Sequence, residues 1–123
     1  MGGIIHPREY IENGEWNWGS FRSVLSALTV SSGAEKRFGL GVVNEIPGAQ
    51  TNLAIVAILS NGGDIVRYSN GRYVSGLNDT ATLQGLEFAR SLMADGLCCY
   101  SDGSFVDRFA DGTYPLYMAE GFA

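Results

Sequence analysis

The chain has 123 residues, 46% of them apolar and 17% charged, which fits one folded domain and excludes a disordered segment. Its net charge of −5 argues against nucleic acid or an anionic membrane surface as the main partner. No apolar run reaches the ~18 residues that span a bilayer, and the first residues contain no signal-peptide core.

Two helices are predicted near the amino terminus. Pro7 suits the first position of a short helix that extends to Asn13, and Gly14 suits its carboxyl-terminal stop. Asn17 is a good N-cap for the second helix, because its side chain accepts hydrogen bonds from unpaired backbone amides. An amphipathic stripe follows at helical spacing: Phe21, Val24, Leu25 and Leu28.

Two tryptophans, Trp16 and Trp18, flank this N-cap and admit two interpretations. They form a platform on which a sugar ring stacks, or they pack the second helix onto the domain. Packing is favoured, because large aromatic surfaces are usually used in cores. Both residues are therefore expected only to border a binding site.

A strand is predicted over residues 37–43, followed by a polar loop over residues 44–50. In α/β proteins, ligands tend to bind where a strand ends and a helix begins, which makes Glu45 and Gln50 candidate contacts. Position alone favours the alternative, an ordinary solvated loop with a helix cap.

The run over residues 51–60 is apolar on nearly all faces, which predicts a helix buried on most sides. Its β-branched residues are also compatible with a strand, which remains the alternative. Its length of about ten residues and the glycines that follow favour the helix.

The strongest local signal is Asn70-Gly71, which stands between two runs rich in Val, Ile and Tyr. A type I′ turn needs positive φ at both central positions, so an antiparallel hairpin is predicted over residues 64–76. An isolated hairpin is not stable in water. Helices at 51–60 and 79–95 are therefore expected to cover it.

The helix at 79–95 is expected to begin at Asn78 or Asp79 as N-cap and to end at Gly96. Its predicted packing face consists of Leu83, Leu86, Ala89, Leu92 and Met93.

A shorter helix from Ser101 or Asp102 to about Ala110 is expected next. Its predicted buried residues are Phe105, Val106 and Phe109. A short strand over 113–118 follows. Because proline lacks a backbone donor, Pro115 is expected to face away from a ladder or to lie at a sheet edge.

No catalytic arrangement is evident in the sequence. The single histidine, His6, has no neighbour to orient it in a triad, and Glu9 one turn away gives too few ligands for a metal site. No nucleophile elbow or phosphate-binding loop occurs. The adjacent Cys98 and Cys99 are expected to be reduced and at least partly buried, because a disulfide between neighbours is strained. The sequence therefore predicts no enzyme, no cofactor and no metal.

Several motifs occur in a specific order along residues 7–123. They are the string from Glu15 to Phe21, Phe38-Gly39-Leu40-Gly41, the string from Leu59 to Asp64, Asn70-Gly71-Arg72, Leu77-Asn78-Asp79, Phe109-Ala110-Asp111-Gly112, and Tyr114-Pro115-Leu116-Tyr117. This order resembles bacterial extracellular solute-binding proteins of the sugar-binding type, the ligand receptors of ABC importers. The first string is similar to that family's Trp-Thr-Trp-Asp-x-Phe helix start, with Asn17 for Thr and Gly19 for Asp.

The resemblance implies a helix-rich α/β fold, one lobe of a two-lobed (type II) periplasmic-binding-protein-like structure with a small sheet, a hairpin and about five helices. Residues 1–123 are expected to form a single domain, most of the second lobe, with the N-terminal lobe missing. The implied function is non-catalytic binding of a carbohydrate-like ligand, with an ABC importer permease as partner. The parent protein is expected outside the cytoplasm, as a periplasmic or cell-surface lipoprotein.

The family's sugar contacts in this lobe imply two sites. Carried onto this sequence, they are the loop with Glu45 and Gln50, and the segment after the last strand with Glu120 and Phe122. The family usually has Trp where Phe122 stands, and phenylalanine also stacks on a sugar. A lone lobe is expected to self-associate through its uncovered apolar face. The alternative is a stand-alone structural or interaction module with the same lobe fold.

Overall fold

A computed structural model describes residues 3–34, 36–43, 50–101, 105–112 and 114–118. These residues form a small mixed α/β domain, helix-rich as predicted. Its helices are α1 (Pro7–Glu12), α2 (Trp18–Leu28), α3 (Gln50–Ser60), α4 (Thr80–Ala94) and α5 (Phe105–Ala110). Its strands are β1 (Leu40–Val43), β2 (Val66–Ser69), β3 (Arg72–Ser75), β4 (Cys98–Ser101) and β5 (Leu116–Met118).

A three-stranded parallel sheet lies at the centre, with β1 between β4 and β5. Leu40 pairs with Cys98 on one side and with Leu116 on the other. Because all three strands are parallel, their carboxyl ends meet at one edge of the sheet. The prediction of Pro115 at a sheet edge is confirmed, since it directly precedes the outer strand β5.

The core lies between this sheet and helices α2, α3 and α4. Its buried members are Leu25, Leu40, Val42, Leu53, Ala57, Ala89, Leu92, Leu97 and Cys98. The predicted N-cap of α2 is also confirmed: Asn17 Oδ1 accepts from the backbone N–H groups of Gly19 and Ser20. The Ser20 hydroxyl accepts in return from Asn17 N–H, which completes a capping box.

Helices α3 and α4 pack at very short distance through a glycine. A Cβ built on Gly85 would lie 2.6 Å from Ile58 Cα and 2.8 Å from the Ala57 carbonyl oxygen. Both atoms are backbone, which a side-chain rotation cannot move away. The backbones therefore touch at this crossing, and only glycine fits.

The packing face of α4 differs from the prediction. Ala89 and Leu92 are buried as expected, but Leu83 is 51% exposed and Leu86 is 37% exposed. The buried face is instead Thr82, Gly85, Ala89 and Leu92. Small residues occupy this face because α3 approaches so closely. The prediction that α3 is buried on most sides is wrong, because Val56 and Leu59 are exposed.

The predicted hairpin is confirmed. Strands β2 and β3 pair antiparallel, and the turn residues Asn70 and Gly71 have φ of 52° and 79°. The expectation that helices cover it is wrong, because Tyr68 is 66% exposed and Tyr73 is 78% exposed.

The hairpin is held at its base instead of along its length. The buried Thr82 hydroxyl accepts from Asp64 N–H at 3.1 Å and donates to Asp64 C=O at 3.0 Å. Arg67 also forms an ion pair with Asp79, the N-cap residue of α4. The hairpin is therefore attached to the start of α4.

A shorter helix is present as α5, but the predicted start at Ser101 is wrong because that residue ends strand β4. Phe109 is exposed rather than buried. The side chains of Phe105 and Val106 lie outside the described part of the chain, so their predicted burial stays a prediction.

Gly85→Ala is expected to destabilise the fold by about 1–3 kcal/mol, although alanine is the better helix former by about 1 kcal/mol. The added methyl group must push α3 and α4 apart. Urea unfolding measures the change. Thr80→Ala, at an exposed position in the first turn of α4, is the control and should change stability by less than about 0.5 kcal/mol. A Gly85→Ala protein at least as stable as the parent would contradict the backbone contact.

Candidate functional site

The candidate site lies at the carboxyl edge of the parallel sheet. The register aligns Val42 of β1 with Met118 of β5, so the two strands end side by side. Ligands in open α/β sheets bind at this edge. Both predicted ligand segments follow these two strands along the chain.

The predicted contacts themselves are only partly within the described structure. Gln50 is the first residue of α3, and its side chain lies outside the described part. Glu45, Glu120 and Phe122 also lie outside the described residues. Their roles therefore stay predictions.

A groove of about 720 Å³ runs between α2, α3 and α4. Its lining is mainly apolar and includes Trp16, Trp18, Phe21, Val56, Phe88 and Met118. Met118 is the last residue of β5, so the groove reaches the carboxyl edge of the sheet. The described end of β5 thus lies at an aromatic groove.

Trp18 is held by packing and hydrogen bonding. Its ring stacks on Phe88 of α4 with centroids 4.2 Å apart and planes 11° apart. Its indole Nε1–H donates to the Ser60 hydroxyl oxygen at 3.2 Å. These contacts support the interpretation that Trp18 packs α2 onto the domain. Phe88 was missed from sequence, because it lies off the predicted apolar face of α4.

Trp16 stands at the rim of the groove and is 41% exposed. Phe21 meets its ring edge to face at 5.9 Å, and Tyr10 lies 6.3 Å from it. These neighbours fix the orientation of the ring, and part of its surface stays open to solvent. Trp16 can therefore border a bound ligand, as the sequence predicted.

The polar groups of the groove already have hydrogen-bond partners within the chain. Asn17 caps α2, the Ser60 hydroxyl donates to Ala57 C=O, and Asn61 Nδ2 donates to Ala81 C=O. The groove thus offers mainly apolar contacts.

Among the described residues, no three His, Cys, Asp or Glu side chains come together in a way that could hold a metal ion. No helix in the same ranges is long and apolar enough to cross a membrane. His6 has a structural contact: its Nδ1 accepts from Arg8 N–H at 3.1 Å and caps α1.

The two cysteines are not joined in a disulfide and both are at least partly buried, which confirms the prediction from sequence. Their environments differ. Cys98 is buried, with its Sγ 2.9 Å from Met93 Sδ, whereas Cys99 is partly exposed. Burial raises the pKa of the Cys98 thiol to about 12, and the neighbouring Cys99 adds to the rise. Because the thiolate is the reactive form, Cys98 is the less reactive thiol.

No protein-family model matches the chain, and no curated protein matches it either.

The stack between Trp18 and Phe88 is expected to couple α2 to α4 by about 0.5–1.5 kcal/mol. A double-mutant cycle with Trp18→Ala and Phe88→Ala, measured by urea unfolding, gives this coupling. Trp16→Ala combined with Phe88→Ala is the control and should give additive losses. Additive losses for Trp18 and Phe88 would mean that the stacked geometry contributes nothing beyond burial.

At pH 8, iodoacetamide is expected to modify one thiol per native chain, Cys99, and two in denaturant. Cys99→Ser should leave the native chain unmodified. The raised pKa of Cys98 also makes the free energy of unfolding depend on pH. The stabilisation from the neutral, buried Cys98 thiol is complete below the ordinary thiol pKa and is lost as the pH rises towards 12. Mass spectrometry of the native protein checks the labelling, and modification at Cys98 first would contradict its burial.

Proposed function

We propose that this chain is a non-catalytic substrate-binding lobe of a solute-binding protein that serves an ABC importer, with a carbohydrate as ligand. The main support is the carboxyl edge of the sheet, where β1 and β5 end side by side. In the family that the order of the motifs resembles, sugar contacts follow the strands that would correspond to these two. Sequence resemblance and strand geometry therefore point to the same edge.

The aromatic groove gives further support. Sugar rings have apolar faces that pack on aromatic side chains, and the groove presents Trp16 at its rim and Met118 at the sheet edge. In the proposed site, Glu45, Gln50 and Glu120 supply hydrogen bonds, and Phe122 supplies the stacking surface. Trp18 positions the groove wall and does not contact the sugar.

The proposed partners are a first lobe, which closes over the ligand, and the importer's permease. Two-lobed receptors exclude water by closing around the ligand. One lobe makes only part of the contacts, so weak binding is expected from this chain alone. Exposed apolar residues such as Val56 and Leu59 support the proposal that the lone lobe self-associates. The parent protein would act outside the cytoplasm.

A stand-alone interaction module is the second candidate. The observation that favours it is the exposed hairpin face with Tyr68 and Tyr73, which carbohydrate binding does not use. The two functions predict different responses to sugars.

Nuclear magnetic resonance of the ¹⁵N-labelled chain, titrated with a panel of mono- and disaccharides, tests the proposal. At least one sugar is expected to bind with a Kd of about 1 mM or weaker, equivalent to about 4 kcal/mol. Shifts should concentrate at the backbone amides of Val42, Leu53 and Met118 and spare those of Tyr68 and Tyr73. Phe122→Ala should weaken binding by about 1 kcal/mol and leave the melting temperature nearly unchanged.

Phe109→Ala, at an exposed phenylalanine of α5, is the matched control and should leave sugar affinity unchanged. A Kd below about 10 µM for this chain would contradict the one-lobe proposal. No response to any sugar at about 100 mM, well above the expected Kd, would contradict carbohydrate binding.

A further inference from the structure

Three asparagines in the chain are followed directly by glycine: Asn13, Asn61 and Asn70. An asparagine in this context can lose its side-chain amide without an enzyme, because glycine has no side chain to keep its backbone nitrogen away from the neighbouring side-chain carbonyl carbon. The reaction requires a free backbone N–H at the glycine, a free asparagine side chain and a backbone that can rotate. The fold meets these conditions unequally at the three pairs.

The pair Asn61-Gly62, at the end of α3, has both reacting groups engaged. Asn61 Nδ2 donates to the Ala81 carbonyl oxygen at 2.9 Å and to Gln84 Oε1 at 3.3 Å. The Gly62 N–H donates to the Leu59 carbonyl oxygen at 3.1 Å. The reaction would therefore have to break the hydrogen bonds between the end of α3 and α4, and this pair is protected.

The pair Asn13-Gly14 is protected on its backbone. Asn13 is the C-cap of α1, and its N–H donates to the Glu9 carbonyl oxygen at 3.0 Å. The Gly14 N–H donates to the Ile11 carbonyl oxygen at 3.1 Å. Rotation of the backbone at Asn13 would unwind the end of α1, although this helix buries none of its residues and gives weaker protection than α3.

The pair Asn70-Gly71 has neither form of protection. Both residues are exposed, and within the described part of the chain neither the Asn70 side chain nor the Gly71 N–H has a hydrogen-bond partner. The ladder between β2 and β3 ends at Ser69 and Arg72, so the two turn residues lie outside it. Exposed loop tips open at little cost in free energy, which allows the backbone rotation that the reaction needs.

We propose that Asn70 is a site of spontaneous deamidation, the one Asn-Gly pair of the three that the fold leaves reactive. The deprotonated Gly71 nitrogen attacks Asn70 Cγ, a new C–N bond closes a five-membered imide, and the bond from Cγ to Nδ2 breaks as ammonia leaves with the proton. Water then opens the imide at either carbonyl, which yields aspartate or isoaspartate. The steps are hydrolytic and redox-neutral, and they do not depend on carbohydrate binding.

The two products have different effects on the hairpin. Aspartate keeps the length of the backbone and tolerates the positive φ that Asn70 adopts. Isoaspartate directs the backbone through Cβ and adds one atom to a two-residue turn, which cannot then hold Ser69 opposite Arg72. Isoaspartate formation therefore releases the pairing of β2 and β3, whereas the hydrogen bonds of Thr82 to Asp64 lie at the far end of the hairpin and are retained.

The test is incubation of the 123-residue chain in mildly alkaline buffer, with peptide mapping by mass spectrometry at each pair. Deamidation adds about 1 Da and one negative charge. In the native chain, Asn70 should react roughly tenfold faster than Asn61 and several-fold faster than Asn13, because a hairpin tip opens more readily than a hydrogen-bonded helix end. In guanidinium chloride the three should react at similar rates, since each then has only its glycine neighbour.

Freshly prepared Asn70→Asp is the matched control, because it adds the charge without lengthening the backbone. It should retain the nuclear Overhauser contacts between the rings of Tyr68 and Tyr73, whereas the isoaspartate form, isolated by chromatography, should lose them. Equal native rates at the three pairs, or faster reaction at Asn13 or Asn61 than at Asn70, would overturn the proposal. An isoaspartate form that keeps the ring contacts would overturn the predicted release of the hairpin.

Discussion

The backbone contact between α3 and α4 at Gly85 is the constraint on which the rest of the structure depends. It lets Leu53 and Ala57 of α3 meet Ala89 and Leu92 of α4 in one core with β1. Because α3 follows β1 and α4 precedes β4, this contact closes the crossover that makes the two strands parallel neighbours. A larger residue at the crossing would separate the helices and loosen the sheet.

The same crossing shapes the candidate site. With α3 and α4 held close, α2 packs over one side of the pair, and Trp18 lies flat on Phe88. The groove that remains opens at Met118, where β5 ends. The aromatic wall and the strand ends are thus consequences of one packing arrangement, which keeps the apolar and polar parts of the proposed site next to each other.

Features that depend on neighbouring residues, such as the hairpin turn, were predicted from the sequence. Features that depend on residues far apart in the chain, such as the buried face of α4 and strand β4, were not. The turn at Asn70-Gly71 was predictable because positive φ at two successive positions selects these residues. The buried face of α4 could not be predicted from the spacing of apolar residues, because Gly85, which lies on that face, has no apolar side chain. Strand β4 was missed because Cys98 and its neighbours give no strand pattern, and parallel pairing with β1 depends on residues nearly 60 positions away. The site's position at the sheet edge follows from strand topology, whereas the roles of Glu45, Gln50, Glu120 and Phe122 depend on residues or side chains beyond the described ranges.

The paired hydrogen bonds between Thr82 and Asp64 have a mechanical consequence. One hydroxyl both donates to and accepts from the same backbone residue, so the base of the hairpin cannot twist against α4 unless both bonds break. A reorientation of the hairpin base is therefore expected to involve the first turn of α4. Since α4 is in backbone contact with α3 at Gly85, the hairpin base, α4 and α3 form one connected unit.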